Sequence, residues 1–164
     1  MKPVRKANRT ATHQERMDNV PADSYRDEAK LHGPHTCPKC GASYDKGRWT
    51  WEKAAPNAVH HKCPACRRIE DKVPAGYVTL SGPFLAGHRD EILAVVRSSE
   101  AREREEHPLQ RIIGIEPGAG DLVVTTTDTH LARSIVHALH EAFKGDTDTR
   151  FSKDEALVRA SWRR

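Results

Sequence analysis

"HTCPKCG" at residues 35–41 and "HHKCPACRRIEDK" at residues 60–72 contain all four cysteines of this 164-residue chain. Each stretch holds one C-P-x-C motif, and 22 residues separate the two motifs. A C-x-x-C turn delivers two thiolates to one edge of a tetrahedron, so two such turns can complete a four-sulfur site for Zn²⁺. The spacing therefore predicts a zinc ribbon, closed by a hairpin, with the ligands Cys37, Cys40, Cys63 and Cys66.

Other uses of paired cysteines fit the sequence less well. Disulfides are disfavoured because no secretion signal opens the chain. Redox-active C-x-x-C pairs lie at a helix N-terminus beside a βαβ pattern, and we expect no helix directly after either pair. Four histidines lie close enough to compete as ligands, although four cysteines make them unnecessary. They are His32, His35, His60 and His61.

The segment around the cysteines is basic. Residues 37–68 contain seven Lys or Arg and two Asp or Glu, a net charge of +5, whereas residues 69–164 contain thirteen against sixteen, a net charge of −3. Two tryptophans lie among these basic residues, and "GRWTWEKAA" at 47–55 predicts a strand with both on one face. Basic residues contact phosphates and exposed aromatic rings stack on unpaired bases.

The candidate RNA-contacting residues are Lys39, Lys46, Arg48, Trp49, Trp51, Lys53, Lys62, Arg67 and Arg68. Two alternatives stay open at this point. The charged patch can be a solvated face that only confers solubility, and at least one tryptophan can form the small core of the ribbon.

From residue 73 onward the hydrophobic pattern predicts a folded domain. The predicted elements are a strand at 75–82, a helix at 87–106, a hairpin of strands at 109–117 and 121–128, a helix from Asp128 or Thr129 to Gly145, and a closing strand or hairpin in 149–164 that turns at Lys153-Asp154. This β-α-β-β-α-β order is that of ferredoxin-like domains.

We therefore predict an α+β protein with three parts: a disordered basic arm (1–34), a four-cysteine zinc ribbon (35–72) that ends in the hinge "IEDK" (69–72), and a ferredoxin-like domain (73–164). The arm lacks hydrophobic periodicity. No apolar stretch approaches the ~18 residues of a membrane span, and no signal peptide precedes the arm. These features favour a cytoplasmic protein without a membrane partner.

No catalytic constellation is found in the sequence. "HEAFK" at 140–144 begins like a metalloprotease helix, but Lys144 stands where the second histidine is required. A zinc site closed by four cysteines also lacks the open coordination position of catalytic zinc. We therefore expect no enzyme activity.

The ordered series of motifs resembles a known family, the zinc-ribbon adaptors of the large ribosomal subunit, which comprise the eukaryotic nuclear export adaptor and its shorter archaeal relatives. The resemblance runs over about residues 36–163, from "CPKCG" and "CPACRR" through "GYVTLSG" and "EILAVV" to "IEPGAGDLVVTTTD" and "LARSIVHALHEAFKGD". The positions that match the family's glycine-rich turn and helix start are Gly118, Gly120, Asp121 and Ala132-Arg133.

Members of that family bind the intersubunit face of the large subunit near the tRNA sites, so the resemblance implies a ribosomal or structured-RNA partner. Family members continue into further ribosome-binding domains and, in eukaryotes, an export tail. The resemblance does not extend to those parts, so it does not imply nuclear export.

Together these observations predict a zinc-binding, ribosome-associated protein that contacts ribosomal RNA of the large subunit through its basic ribbon. The alternative is a protein-interaction adaptor or regulator in which the zinc is purely structural.

Overall fold

A computed structural model describes residues 23–26 and 31–164. Most of the arm predicted at 1–34 lies outside these ranges, so the prediction of disorder there is not addressed. Within the described part of the chain, no helix combines the length and the apolar character needed to cross a membrane.

The elements follow one another from residue 35 to residue 163. They are β1 (His35–Thr36), β2 (Ser43–Asp45), β3 (Arg48–Thr50), β4 (Val59–His60), α1 (Pro64–Asp71), β5 (Gly76–Ser81), α2 (Pro83–Gly87), α3 (Arg89–Glu106), β6 (Ile112–Pro117), β7 (Leu122–Thr126), α4 (Thr129–Phe143), β8 (Asp146–Ser152) and β9 (Leu157–Arg163). The prediction of a mixed α+β chain, with a four-cysteine cluster ahead of a sheet-and-helix unit, is confirmed.

The ribbon contains a small sheet with the strand order β3-β2-β1-β4. A tight turn at Lys46 and Gly47, both with positive φ (49° and 87°), joins β2 to β3, as two-residue hairpins require. β3 ends at Thr50, so Trp51 lies beyond the strand rather than on one strand face with Trp49. Trp49 packs against Tyr44 with ring centroids 5.4 Å apart, which confirms that one tryptophan belongs to the ribbon core.

The expectation that no helix follows either cysteine pair is wrong, because α1 begins at Pro64 directly after Cys63. Proline is favoured at the first helical position because a backbone N–H there would have no hydrogen-bond acceptor within the helix, so its absence costs nothing. Residues 69–72 form the end and cap of this helix rather than a hinge. Sequence periodicity does not reveal α1 because its buried face is made of proline, alanine, cysteine and the arginine Arg68, not of large apolar side chains.

The second unit is a five-stranded sheet with the order β6-β7-β5-β9-β8. β7 lies between β5 and β6 and is antiparallel to both. The core joins strands β5, β7 and β9 to one face of α3 and α4 and is filled mainly by Leu, Ile, Val and Trp side chains. Asp128 caps α4 by accepting hydrogen bonds from the backbone N–H groups of His130 and Leu131 at 2.7 and 3.2 Å.

The end of the chain forms a hairpin, one strand more than the β-α-β-β-α-β order contains. β9 pairs in parallel with β5, and β8 lies outside it at the sheet edge. The residues along β8 are nearly all exposed, whereas β9 carries the buried Val158, Ala160 and Trp162. Burial of apolar surface favours the interior place for β9, so the polar strand is left at the edge.

Candidate metal centre and its surroundings

The two C-P-x-C motifs meet in space. The Sγ atoms of Cys37, Cys40, Cys63 and Cys66 all lie within 4.8 Å of one another. A tetrahedral zinc site with Zn–S bonds of about 2.3 Å has S···S edges of about 3.8 Å, and the Sγ atoms of Cys40 and Cys63 are 3.8 Å apart. The four sulfur atoms are therefore positioned to chelate one metal ion.

Backbone pairing between β1 and β4 closes the 22-residue gap between the motifs. These strands are parallel, with Thr36 opposite His60, and the N–H of His61 donates to the carbonyl of Thr36 at 3.0 Å. The second motif is thereby placed beside the first, where the N–H of Cys63 donates to Cys37 Sγ at 3.3 Å.

Each motif is a tight turn around its first sulfur. The N–H of Gly41, whose φ is +80°, donates to the carbonyl of Cys37 at 2.9 Å. In the second motif Cys63 is the N-cap of α1, and its Sγ accepts from the N–H of Cys66 at 3.4 Å. N–H groups and the positive end of a helix both favour thiolate over thiol.

Sulfur atoms this close cannot all be ionised without a cation. The hydrogen bond from Cys63 lowers the pKa of Cys40 to about 4, whereas the same bond, together with burial, raises the pKa of Cys63. Burial also raises the pKa of Cys66, despite the neighbouring Arg111. A cation that replaces the remaining protons relieves this competition.

Arg111 completes the surroundings of the centre and was missed by sequence reasoning. Its side chain is only 8% exposed, and Nη2 donates to Cys66 Sγ at 3.0 Å. Burial acts to lower the pKa of Arg111, but the attraction of the cysteine sulfurs, above all Cys66, outweighs it and the pKa is raised. No sequence signal connects the two residues, because Arg111 opens the β6 segment 45 positions further along the chain.

A cleft of about 530 Å³ leads to the sulfur atoms between the ribbon and α3. Cys40 and Cys66 lie at its wall with Lys39, Arg104 and Arg111. Of the four cysteines, only Cys40 is half-buried rather than buried. Three of the four cysteines are therefore enclosed by the protein, and solvent reaches the fourth, Cys40.

The basic residues among the predicted RNA contacts differ in whether their side chains have partners within the described ranges. Lys46, Arg48 and Lys53 are exposed at the β2–β3 hairpin and just after it. Their side chains form no ion pair with any carboxylate in the described ranges. Lys39 and Lys62, in contrast, both pair with Glu70, and this pairing holds the pKa of the Glu70 carboxyl below its ordinary value.

Residues 23–26 cover the other two basic residues. The carboxylate of Asp23 lies 2.7 Å from Nη2 of Arg68, and Nη2 of Arg67 donates to the carbonyl of Tyr25 at 2.9 Å. The Tyr25 ring lies 4.4 Å from the Arg68 guanidinium, and its hydroxyl donates to Asp71 at 2.8 Å. This short part of the predicted arm thus packs against α1, and Arg68 is buried.

The tryptophans also have intramolecular contacts. Trp49 is 8% exposed, whereas Trp51 is 37% exposed. The indole N–H of Trp51 donates to the carbonyl of Arg104 at 2.5 Å, and the Arg104 guanidinium lies 5.7 Å from its ring centroid. Trp51 thereby joins the ribbon to α3, with part of its surface still open to solvent.

None of the four nearby histidines belongs to the group of metal-binding side chains found in the described residues. His61 lies against Trp49 at 6.4 Å between ring centroids and against His35 at 5.7 Å. These rings pack beside the four-sulfur cluster and are not part of it.

Comparisons with protein-family models, with curated proteins and with solved structures found no match to this chain. The chemistry of the residues around the sulfur cluster is therefore the basis for any functional assignment.

Proposed function

We propose that the protein binds one Zn²⁺ through Cys37, Cys40, Cys63 and Cys66. The observation that supports this is the cluster of four Sγ atoms within 4.8 Å of one another. Four thiolates in a closed tetrahedron are the typical ligand set of structural zinc, although single iron ions and clusters also use sulfur ligands. Elemental analysis of protein purified without chelator is expected to give one zinc per chain in a colourless solution; a coloured, iron-containing protein contradicts the zinc assignment.

The proposed zinc has a structural role. Four protein ligands fill a tetrahedral site, so no coordination position remains for a substrate or a reactive water. The cleft beside Cys40 reaches the sulfur side of the centre. We therefore propose a binding protein rather than an enzyme.

For the ribbon itself we propose RNA binding, with ribosomal RNA of the large subunit as the partner. Support comes from the exposed Lys46, Arg48 and Lys53, which lack carboxylate partners in the described ranges, and from the net charge of +5 over residues 37–68. Unpaired cations on a rigid hairpin can neutralise phosphates and release counterions. The family resemblance adds the large ribosomal subunit as the source of that RNA.

Reversal of the three exposed charges tests this interface. A K46E/R48E/K53E variant is expected to weaken binding to ribosomal RNA and to lower the slope of log affinity against log salt by about 2 to 3, since each phosphate contact contributes roughly 0.7–0.9. The R97E/R102E/R133E variant makes the same charge change at exposed helix positions and serves as the matched control. Arg67 and Arg68 are unsuitable here, because their reversal would also break the contacts with residues 23–26.

Gradient sedimentation of a cell lysate tests the ribosomal partner directly. The wild-type protein is expected to travel with large subunits at low salt and to leave them as the salt concentration rises. Sedimentation only with free proteins at low salt, during growth and stress alike, contradicts the ribosome proposal.

A second candidate function is a protein-interaction adaptor with purely structural zinc. The exposed edge strand β8 favours it, because six of its seven residues are exposed, including Phe151, and a free edge can pair with a strand of a partner. Ribonuclease treatment before sedimentation separates the candidates. A complex that persists after digestion supports the adaptor, and one that is lost supports RNA binding.

A further inference from the structure

We propose that Arg111 is a positioning residue of the metal centre that couples metal binding to the order of the β6–β7–α4 junction of the α+β domain (residues 73–164). Its guanidinium contacts the ligand Cys66 from outside the coordination sphere. The inference rests on the proposed zinc site and is independent of RNA binding.

Charge balance is the first reason. A Zn²⁺ ion with four thiolates carries a net charge of about −2, and a buried charge is stable only with an opposite charge or hydrogen bonds nearby. Arg111 is buried and forms no ion pair with a carboxylate in the described ranges. The guanidinium of Arg111 instead donates a hydrogen bond to Cys66 Sγ.

The carboxylates near the cleft have other partners. Glu100 Oε1 accepts a hydrogen bond from the backbone N–H of Ile112 at 2.7 Å. Glu70 pairs with Lys39 and Lys62. The negative charge of the sulfur cluster therefore balances the positive charge of the Arg111 guanidinium.

The backbone of Arg111 is held by Thr127. The N–H of Arg111 donates to Thr127 Oγ1 at 2.9 Å, and the N–H of Thr127 donates to the carbonyl of Arg111 at 2.9 Å. Thr127 Oγ1 also donates to the carbonyl of Leu109 at 2.6 Å. Thr127 stands between β7 and the N-cap Asp128 of α4, so the position of the guanidinium is coupled to the start of β6, the end of β7 and the start of α4.

Outer-sphere groups that hydrogen-bond to metal ligands fix the ligand's orientation, and their loss typically lowers metal affinity 10–100-fold. Arg111 differs from a partner within the ribbon because it belongs to the other folding unit. A metal centre that holds Arg111 therefore also holds the β6–β7–α4 junction of the domain.

The chain offers a matched control. Arg104 lines the same cleft and also joins the two units, but it contacts the ring of Trp51 and no sulfur. An R104M variant removes one cation and one contact between the units. An R111M variant makes the same chemical change at the contact with Cys66.

Two measurements on the full chain test the proposal. In chelator competition, R111M is expected to bind Zn²⁺ 10–100-fold more weakly than wild type, R111K by an intermediate factor because it keeps the charge, and R104M within about twofold. In hydrogen exchange, chelation of the wild type is expected to speed exchange of the Arg111 and Thr127 amides, whereas R111M exchanges these amides quickly with and without zinc.

Equal zinc affinities of wild type, R111K and R111M, or Arg111 and Thr127 amides that are insensitive to chelation in wild type, would overturn the proposal while leaving the zinc site intact. A wild-type chain that binds no metal would overturn the zinc site and this inference together. If R111M fails to fold, R111K still decides the matter by its zinc affinity.

Discussion

The ribbon and the α+β domain have cores of different chemistry. The ribbon core comprises seven buried residues, of which three are cysteines, whereas the domain core comprises fifteen buried apolar residues that include Trp162, Ile92 and five leucines. Apolar burial contributes roughly 25 cal/mol per Å², so a core as small as the ribbon's gains too little to offset the conformational entropy of folding. The difference predicts that the two units depend on different stabilising agents: a metal ion at the four-sulfur cluster in one and hydrophobic packing in the other.

Metal removal is expected to have the largest effect. Structural zinc supplies on the order of 10 kcal/mol of folding free energy in small metal-folded units, so a strong chelator should unfold the ribbon. The emission of the buried Trp49 is then expected to shift to longer wavelength, with loss of amide protection at β2 and β3. The amides of β5 and β9 in the centre of the domain sheet serve as the control and are expected to stay protected. Retention of ribbon protection in metal-free protein contradicts this prediction.

Truncation of the domain core is expected to have the next largest effect. Leu139 is fully buried on α4, and Leu139→Ala is expected to lower the free energy of unfolding by roughly 2–5 kcal/mol, measured by urea denaturation. Leu93→Ala, at a half-buried position on α3, is the matched control and is expected to cost less. Zinc content measured below the unfolding transition should be the same in both variants, and a loss of zinc in L139A alone would show that the ribbon depends on the domain core.

The pH dependence of zinc affinity tests whether the ribbon is stabilised by thiolate–metal bonds, which the domain core does not contain. Cys63 and Cys66 have raised pKa values and hold protons at neutral pH, whereas the pKa of Cys40 is lowered to about 4. Zinc binding must displace every thiol proton that the four ligands hold, including those of Cys63 and Cys66, so affinity is expected to fall as the pH falls, by about tenfold per pH unit for each displaced proton. Calorimetry in buffers of different ionisation enthalpy counts the protons released, and a count of zero at pH 7 contradicts the prediction.

Loss of the cap of α4 is expected to have the smallest effect. Asp128→Ala removes two hydrogen bonds to the first turn of the helix and is expected to cost about 1 kcal/mol, seen as a lower melting temperature of the domain. Asp128→Asn retains a capping oxygen and should recover most of this stability. Equal melting temperatures of D128A and wild type would show that the cap contributes little here.

The sequence predicts those features that depend on local pattern. Residues Ile92, Val96 and Ser99 follow helical spacing and are buried on α3. The hairpin predicted from strands at 109–117 and 121–128 is observed as β6 and β7, and the helix predicted to start at Asp128 or Thr129 begins at Thr129. Each of these features is determined by residues close together in the chain.

Other features escaped prediction because no local pattern encodes them. The helix α1 lacks an apolar stripe, since Arg68 forms part of its buried face. The order of β8 and β9 in the sheet depends on which strand buries more apolar surface against helices far away in the sequence. These outcomes are settled by competition between whole elements for the same core.

The sequence by itself determined each pair of sulfur atoms, because a C-x-x-C turn places both thiolates on one side, and the pairing of β1 with β4 brings the two pairs together. Tertiary structure alone decided that Arg111 contacts Cys66 and that Asp23 and Tyr25 cover Arg67 and Arg68. The physical reason is that a buried charge needs a partner, and that partner is selected by distance in the folded chain rather than by position along it.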